Sequence, residues 1–498
     1  MIVLSNATLS YEIKKGRAHM VFSSLFFVFC FLVLNYVAQA MCSTIKGRNI
    51  VMLLFSLLFY AWGGPKYLIL ICAMTAICWL GALLVDCAET DGQRRGFLIG
   101  TAVLMLGLLG YFKYATFFLE NLQALTTFPS VIPEIILPIG ISFYTFQLLS
   151  YVVDVYRGEV RAQPRYWVLL LYASLFHQCI AGPIVRYKDV EYDILHRDVC
   201  LADTSRGISR FAAGLAKKAL LANSCALLAD TLLPLDADKL AAVSGLSVLL
   251  GGLCYMLQIY LDFSAYSDMA IGMGLMVGFH YLENFNYPYT ANSITDFWRR
   301  WHISLSSFFR DYVYIPLGGN RCSTGRQILN LCTVWVLTGF WHGASWNYVL
   351  WGLYFLAFLL LEKFVLRLGK ECSGLVAAVR HVYAMIVVYF GWFLFRFEDL
   401  SLLGTALKNL FGGSPAGFID TAAQMSWKNN CFFLILAILA CFPIAPALGK
   451  LLTHMGRGSR AVSKLNAILS VAIPPLLVFV SLLALVGNSY NPFLYFQF

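Results

Sequence analysis

Long apolar runs separated by short polar breaks extend along almost the whole chain. A membrane core of about 30 Å takes about 20 helical residues to cross, so the longest runs predict transmembrane helices, and shorter runs predict tilted or re-entrant ones. The pattern therefore predicts an all-α, polytopic integral membrane protein with about eleven transmembrane helices plus re-entrant or interfacial helices. The runs lie near 21–41, 49–62, 67–85, 97–118, 135–156, 166–183, 208–231, 240–261, 263–280, 327–341, 346–366, 380–397, 430–449 and 466–487.

Composition excludes a soluble protein. Charged residues make up only 12% of the 498 residues and hydrophobic residues 60%, whereas a soluble domain carries roughly 25% charged residues. The net charge of +10 is typical of a membrane protein whose Lys and Arg lie in cytoplasmic loops beside anionic headgroups. Nucleic-acid binding is not expected, because the sequence contains no folded basic module. The 14 cysteines form no CxxC pair or zinc-spaced set, so neither a disulfide framework nor a metal site is expected.

The first nineteen residues differ from the rest of the chain. They carry Lys14, Lys15 and Arg17 without a long apolar run, which is not the pattern of a cleavable signal peptide. They are either a cytoplasmic tail or an extension upstream of a natural start at Met20, and the extension is favoured. Residues 1–19 are therefore expected to be non-essential, and residues 20–498 to form a single membrane domain.

One wide polar stretch carries most of the candidate chemistry. Ser293 followed by Asp296 fits a capping box, so a helix is predicted to begin near Ser293. On that helix Asp296 and Arg300 are four residues apart and can pair, and Trp298 and His302 share this spacing. Such a helix is too polar to face lipid, so it lines a wet cavity or, alternatively, lies at the interface as an amphipathic helix.

A second histidine lies between two short apolar runs. The run 327–341 and the run after Asn347 are each too short to span comfortably, so the break at His342-Gly343 is predicted inside the membrane, lining a cavity. A histidine there is a functional hypothesis by default, and its ordinary pKa of about 6.5 suits a general base for a hydroxyl. The alternative is a structural histidine that caps a helix turn at the membrane surface.

Other polar residues lie within apolar runs, namely Gln147, Asp154, His177, Asp262 and Asp268. Hydrogen bonding between helices is their expected role in preference to reaction with a substrate. No pair of residues has the HxxxH or HExxH spacing of a metal site.

Several motifs in the right order resemble the signature of the membrane-bound O-acyltransferase (MBOAT) family. Two carry most of the resemblance: the string from Asn286 to Arg321, and Thr338-Gly-Phe-Trp-His-Gly-Ala-Ser-Trp-Asn347. Other segments are similar to the bacterial branch that O-acetylates alginate, other exopolysaccharides or peptidoglycan; the teichoic-acid D-alanyl branch is more distant. These segments are Ser56-Leu-Leu-Phe-Tyr-Ala-Trp-Gly63, Phe112-Lys-Tyr, Leu137-Pro-Ile-Gly-Ile-Ser-Phe-Tyr-Thr-Phe-Gln147 and Ala181-Gly-Pro-Ile-Val-Arg186.

The resemblance implies a ring of tilted helices with a tunnel from a cytoplasmic donor to an acceptor on the far side. It implies that His342 is catalytic, and it implicates His302 less uniformly. Acetyl-CoA is then the expected co-substrate, with no permanently bound cofactor. Arg299, Arg300 and Asn347 are the candidates for holding it, and an arginine could grip donor phosphates by bidentate contacts or bind a lipid headgroup instead.

The last residues are a further candidate. The chain ends Phe493-Leu-Tyr495-Phe-Gln-Phe498, similar to the ending of the small partner of the D-alanylation system, whose tyrosine is implicated as an acyl carrier. By this resemblance Tyr495 is a candidate acyl carrier. The alternative is an aromatic residue anchored at the membrane interface.

The function expected is O-acetylation of hydroxyls on an alginate-like exopolysaccharide or other envelope glycan, from the bacterial inner membrane. The partners implied are a cytoplasmic acyl donor, a periplasmic or membrane-anchored acetyltransferase, the polysaccharide acceptor and membrane lipid. Two alternatives stay open: a transporter or flippase of an envelope precursor, and a lipid or protein O-acyltransferase of the same family. No repeated halves typical of transporters are visible.

Overall fold

The computed structural model describes residues 20–126, 132, 135–178, 182–369, 373–487 and 492. Within these ranges every regular element is a helix, which confirms the all-α prediction. Eight of the described helices are long and apolar enough to cross a membrane, or nine if one bent pair counts as a span. This number is close to the prediction, and several of the remaining apolar runs form shorter helices.

The N-terminal helices pack against one another in chain order. Thr44 and Thr90 cap two of them by accepting the backbone N–H groups of Gly47 and Gln93. Another begins at Pro65, a position where the missing N–H is no loss. The helices are α1 Phe27–Ala40, α2 Ile45–Gly63, α3 Pro65–Cys87 and α4 Asp91–Leu125.

The next helices are shorter and more deeply placed. The first of them packs against α3 and α4 and is buried along nearly its whole length. At 16 residues it is too short to span alone, so it is an internal helix. The helices are α5 Ile141–Tyr156, α6 Tyr166–Ser174 and α7 Tyr187–His196.

The centre of the molecule is a pair of long helices, α8 Leu201–Leu232 and α10 Gly245–Met276, joined through the short α9 Ala237–Ala242. The apolar window of α10 is 83% buried. A Cβ on Gly207 would lie 2.6 Å from the carbonyl oxygen of Gly272, so only small residues allow these backbones to approach so closely.

One long helix replaces two predicted runs at 240–261 and 263–280. The predicted break falls at Asp262, which lies inside α10 and forms an ion pair of 2.9 Å with Lys218 of α8. Both side chains are at most 2% exposed. Since the charge is compensated within the bundle, the helix continues through it.

Most of the other polar groups within apolar runs also contact neighbouring elements, as predicted. Asp268 pairs with Arg210 at 2.9 Å, Asp154 accepts a hydrogen bond of 2.8 Å from the Tyr312 hydroxyl, and His177 lies 3.3 Å from the Tyr281 hydroxyl. For Gln147 the described residues provide no side-chain partner, so its role stays a prediction.

The polar stretch and the second-histidine segment form four helices. The predicted start at Ser293 is confirmed, because its hydroxyl accepts the backbone N–H of Asp296 at 3.0 Å, and the Asp296–Arg300 pair is also confirmed at 3.0 Å. The helices are α11 Ile294–Arg300, α12 Ile303–Phe309, α13 Thr324–His342 and α14 Trp346–Leu366.

The predicted placement of Trp298 and His302 on one helix is wrong. α11 ends at Arg300, and His302 has a left-handed backbone with φ of 44°. The backbone N–H of Asn286 donates to the Arg300 carbonyl, and that of Ile303 donates to the Asn284 carbonyl, each at 2.9 Å. These two hydrogen bonds with the preceding loop fix the break between α11 and α12.

The C-terminal helices form the outer part of the described structure. One pair of them is bent by 66°, and the apolar window of the last helix is only 6% buried, as expected for a helix that faces lipid. The helices are α15 Gly374–Arg396, α16 Leu400–Lys408, α17 Thr421–Ala440, α18 Ile444–Gly456 and α19 Arg460–Gly487.

Candidate active site

His342 lies at the predicted break, as the last residue of α13, and α14 begins at Trp346. The two helices pack with almost no side chain between them near this point. A Cβ on Gly339 would lie 2.5 Å from the Tyr348 carbonyl oxygen, and one on Gly352 would lie 2.4 Å from that of Trp335. The helix end that carries His342 is therefore tightly held against its neighbour.

The His342 imidazole is surrounded by aromatic rings. Its centroid lies 4.9 Å from that of Trp341, 4.8 Å from Trp351 and 5.3 Å from Phe395. The residue is only 6% exposed. The imidazole is thus enclosed by flat aromatic walls that leave little of it accessible to solvent.

His302 is oriented by Asn284. Its Nδ1 lies 3.2 Å from the Asn284 amide oxygen, which also accepts the Ser304 backbone N–H at 3.2 Å. Because that oxygen can only accept, the neutral imidazole carries its proton on Nδ1 and presents the lone pair of Nε2. Nε2 is buried and has no partner among the described residues, so this lone pair is not used within the described structure.

The structure brings the two predicted histidines together around one indole. The Trp341 ring lies 5.6 Å from the His302 ring and 4.9 Å from the His342 ring. The Phe263 ring of α10 contacts His302 from another side at 4.8 Å. Two motifs that are separate in the chain therefore form one site.

A basic cavity of about 850 Å³ lies on the far side of α11 from this site. Such a volume suits a ligand of moderate to large size. Arg299 and Arg300, both predicted to hold the donor, line this cavity, which we call the basic basin. Further cationic side chains around it are Lys363, Arg367 and Arg380.

Both acidic groups of the basic basin are already engaged. Asp296 pairs with Arg300, and the Glu362 carboxylate accepts the backbone N–H groups of Ile294 and Thr295 at 2.6 and 2.9 Å. Glu362 thus caps the first turn of α11. The basin keeps an excess of positive charge, which favours a polyanionic ligand.

An aromatic column links the basic basin to the histidines. Leu331 lines the basin and lies eleven residues before His342 on α13, about 16 Å along a helix. Trp298 and Trp351 lie between them, with ring centroids 5.5 Å apart, and neither indole N–H has a partner within the described ranges. Both indole N–H groups are therefore buried donors that the described residues leave unused.

Asn347, the third residue predicted to hold the acetyl donor, does not line the basic basin. It is fully buried near the start of α14 and donates its side-chain N–H to the Phe395 carbonyl at 3.2 Å. Its role in donor binding stays a prediction. Tyr495 lies outside the described residues.

Two further residues of the site are given no individual role by the sequence interpretation, although one of them, Lys113, lies in the motif Phe112-Lys-Tyr. Lys113 donates a hydrogen bond to the Trp341 carbonyl, and Asn284 orients His302. A lysine within a long apolar helix is a signal in itself. Asn284 carries no such signal, since it precedes the recognisable motif by two residues.

Comparison with known proteins decides the family. The family model described as "MBOAT, membrane-bound O-acyltransferase family" matches residues 159–407. A protein of Azotobacter vinelandii named "Probable alginate O-acetylase AlgI" is 37% identical, over 96% of this chain and all of that protein. The chain belongs to the MBOAT family. It is thus a multi-pass membrane O-acyltransferase, which confirms the resemblance.

Other MBOAT proteins match with graded similarity. A "Peptidoglycan O-acetyltransferase" of Helicobacter pylori is 33% identical over 78% of each chain. A "Teichoic acid D-alanyltransferase" of Bacillus subtilis is 26% identical over 53% of this chain and 68% of its own length. The D-alanyl branch is therefore more distant than the O-acetylating one, as predicted.

Proposed function

We propose that this O-acyltransferase moves acetyl groups from acetyl-CoA toward hydroxyls of an alginate-like exopolysaccharide or a related envelope glycan, working in the bacterial inner membrane. The observation that carries the proposal is the pairing of a basic basin with a buried two-histidine site through an aromatic column. The O-acetylating relatives support the acetyl group and the glycan. Membership of an acyltransferase family removes the ground for the transporter alternative.

The basic basin would hold the phosphates of the donor. Arg299 forms no ion pair with any described carboxylate, so its guanidinium is available for bidentate contacts with phosphate. The pantetheine arm would then run along the aromatic column toward His342. This arrangement separates the charged part of the donor from its reactive thioester.

His342 would act as the general base. It would take the proton of an acceptor hydroxyl, whose oxygen then forms a bond to the thioester carbonyl carbon. When the carbon–sulfur bond breaks, the thiolate of coenzyme A leaves and takes that proton from His342. His302, with its Nε2 lone pair unused, would accept a hydrogen bond from the incoming hydroxyl and so orient it.

Tyr495 would be the first acceptor and would pass the acetyl group on. Support comes from Pro492, whose carbonyl accepts a hydrogen bond from Lys218. Lys218 pairs with Asp262, the neighbour in sequence of Phe263, whose ring contacts His302. Three extended residues cover about 10 Å, so Tyr495 can lie no further than about that distance from Pro492.

Mass spectrometry of purified protein given isotope-labelled acetyl-CoA tests the proposal. We expect a labelled acetyl ester on the C-terminal peptide of the wild type and none on Tyr495→Phe, which keeps the ring and removes one oxygen. Tyr495→Phe should also stop delivery to chemically deacetylated alginate. Delivery at the wild-type rate by Tyr495→Phe would show direct transfer, and no reaction with acetyl-CoA in any sample would overturn the donor assignment.

The acceptor that receives the label distinguishes transfer to glycan from transfer to lipid or protein. The same labelled reaction is run with membranes, and the label is followed into the lipid, protein and polysaccharide fractions. We expect the polysaccharide fraction to carry it. Label confined to lipid would favour the lipid-acyltransferase alternative.

A further inference from the structure

The end of α13 is capped by another helix. The last carbonyl groups of a helix have no partner within the helix. Here the Tyr114 hydroxyl donates to the Phe340 carbonyl at 2.6 Å, and the Lys113 ammonium donates to the Trp341 carbonyl. Both side chains come from α4, so two consecutive residues of a distant helix hold the two peptide groups that precede His342.

Lys113 is one of three buried cations in the described part of the chain. It is 8% exposed and lies under the Trp341 ring at 5.7 Å, and its second hydrogen bond goes to the Ser142 hydroxyl at 3.2 Å. No carboxylate of the described residues forms an ion pair with it, whereas Lys218, which is 1% exposed, is paired with Asp262. A buried cation without a counter-ion is costly, so packing alone is a poor reason for its presence.

A helix C-terminus compensates part of that cost. The partial negative charge of the last carbonyls favours a cation, and a strong charged hydrogen bond fixes the peptide that receives it. The Trp341 peptide is a sensitive place for such a bond, because the Trp341 ring contacts both His302 and His342. A shift of this peptide would move both imidazoles relative to a bound thioester.

We propose that Lys113 and Tyr114 are positioning residues that fix the direction of the His342 imidazole by capping the end of α13. The proposal rests on the assignment of His342 as the base. It extends that assignment to α4, which lies outside the residues matched by the family model. Neither residue is required to touch the substrate.

Four variants test it in purified protein, with turnover followed as coenzyme A release from acetyl-CoA in the presence of deacetylated alginate. Lys113→Met, which keeps the length and removes the charge, is expected to lower kcat by about 10²-fold, the loss typical of a displaced catalytic group, with the KM for acetyl-CoA unchanged. Lys113→Arg restores a cationic donor and should recover most of that loss. Tyr114→Phe should lower kcat by roughly tenfold.

Tyr166→Phe is the matched control, because the Tyr166 hydroxyl also donates to a backbone carbonyl from another helix, that of Cys72 at 2.9 Å, away from the site. It should leave kcat unchanged. Equal thermal unfolding temperatures would show that each variant is folded, and if Lys113→Met fails to fold, Tyr114→Phe against Tyr166→Phe still decides.

The proposal is overturned if Lys113→Met keeps the wild-type kcat, if it raises only KM, or if Tyr114→Phe behaves like Tyr166→Phe. A separate measurement on His342→Gln distinguishes failure of the base assignment from failure of the positioning role of α4. Activity in His342→Gln would sink the base assignment itself, whereas an inactive His342→Gln beside a fully active Lys113→Met would sink only the role of α4.

Discussion

At the scale of single residues, contacts between distant parts of the chain hold the site. Asn284 settles which nitrogen of His302 carries the proton, and Trp341 separates the two imidazoles. The walls are aromatic, so few groups compete with the histidines for a proton. Two imidazoles in contact with one indole could supply the base and the substrate-orienting group that the proposed acyl transfer needs.

His342→Ala is expected to insert normally and to lose transfer by at least about 10²-fold, the usual contribution of a general base. Because His342 is packed among rings, His342→Gln is a useful second variant that leaves less empty space. His454→Gln is the control, since it replaces an exposed histidine near the end of α18, a helix that contributes no residue to the basic basin. Labelled acetate delivered to glycan is the measurement, and wild-type delivery by a well-expressed His342→Ala would exclude the base role.

Arg299→Gln is expected to raise the KM for acetyl-CoA by about tenfold, the value of one charged hydrogen bond, with little change in kcat. Arg457→Gln removes the same charge from an exposed turn between α18 and α19 and should have no effect. Initial rates over a range of acetyl-CoA concentrations measure both constants. An unchanged KM in Arg299→Gln would assign the basic basin to another anion, such as a lipid headgroup.

Local sequence predicts part of this site and misses the rest for a physical reason. The cap at Ser293 and the Asp296–Arg300 pair depend on residues three and four apart, which a pattern displays. The left-handed turn at His302 depends on hydrogen bonds with the loop that precedes α11 in the chain. A helical periodicity in the sequence does not reveal such contacts. The approach of Lys113 to Trp341 depends on the whole bundle.

At the scale of elements, the hairpin of α13 and α14 is packed too closely for larger side chains at its contact points. The backbones of its two helices are in direct contact, and the segment between the helices leaves no room for a side chain at Gly343. A Cβ there would lie 2.2 Å from the Tyr348 ring. The glycine after His342 is thus required by the packing of the following helix.

Gly343→Ala is therefore expected to destabilise the protein by about 1–3 kcal/mol, the usual effect of overpacking, and to displace His342. Gly325→Ala is the control, because nothing lies within 4 Å of a Cβ at that position near the start of the same helix. Thermal unfolding and transfer rates are measured together. Equal stability of the two variants would contradict the packing argument.

At the scale of the whole molecule, hydropathy predicts the class of fold and most helix positions, but not where neighbouring runs join. Asp262 marks a break in the apolar pattern, yet α10 continues through it because Lys218 of another helix neutralises its charge. Similarly, the run at 135–156 yields only the internal helix α5. Burial by protein and burial by lipid have the same hydropathy, so the pattern cannot separate them.

Removal of residues 1–19 is expected to leave insertion and activity intact, as the predicted extension requires. The residues just after this segment pack into the core, because the Phe22 ring lies 5.6 Å from the Tyr266 ring of α10 and Phe22 is 1% exposed. A chain that begins at Met20 should complement a deletion strain fully, whereas one that also lacks residues 20–23 should lose stability. Loss of activity in the shorter deletion would show that residues 1–19 belong to the protein.

The aromatic column has a spectroscopic consequence. Three further indoles lie beside it: Trp335 is 4.8 Å from Trp298, and Trp392 is 6.0 Å from Trp351 and 4.7 Å from Trp301. Indoles at such separations exchange excitation energy, so light absorbed by one is emitted by whichever has the lowest excited state. Any molecule that quenches one ring of this group dims the emission of all of them, and the protein thereby contains its own optical sensor for whatever enters between the basic basin and the histidines.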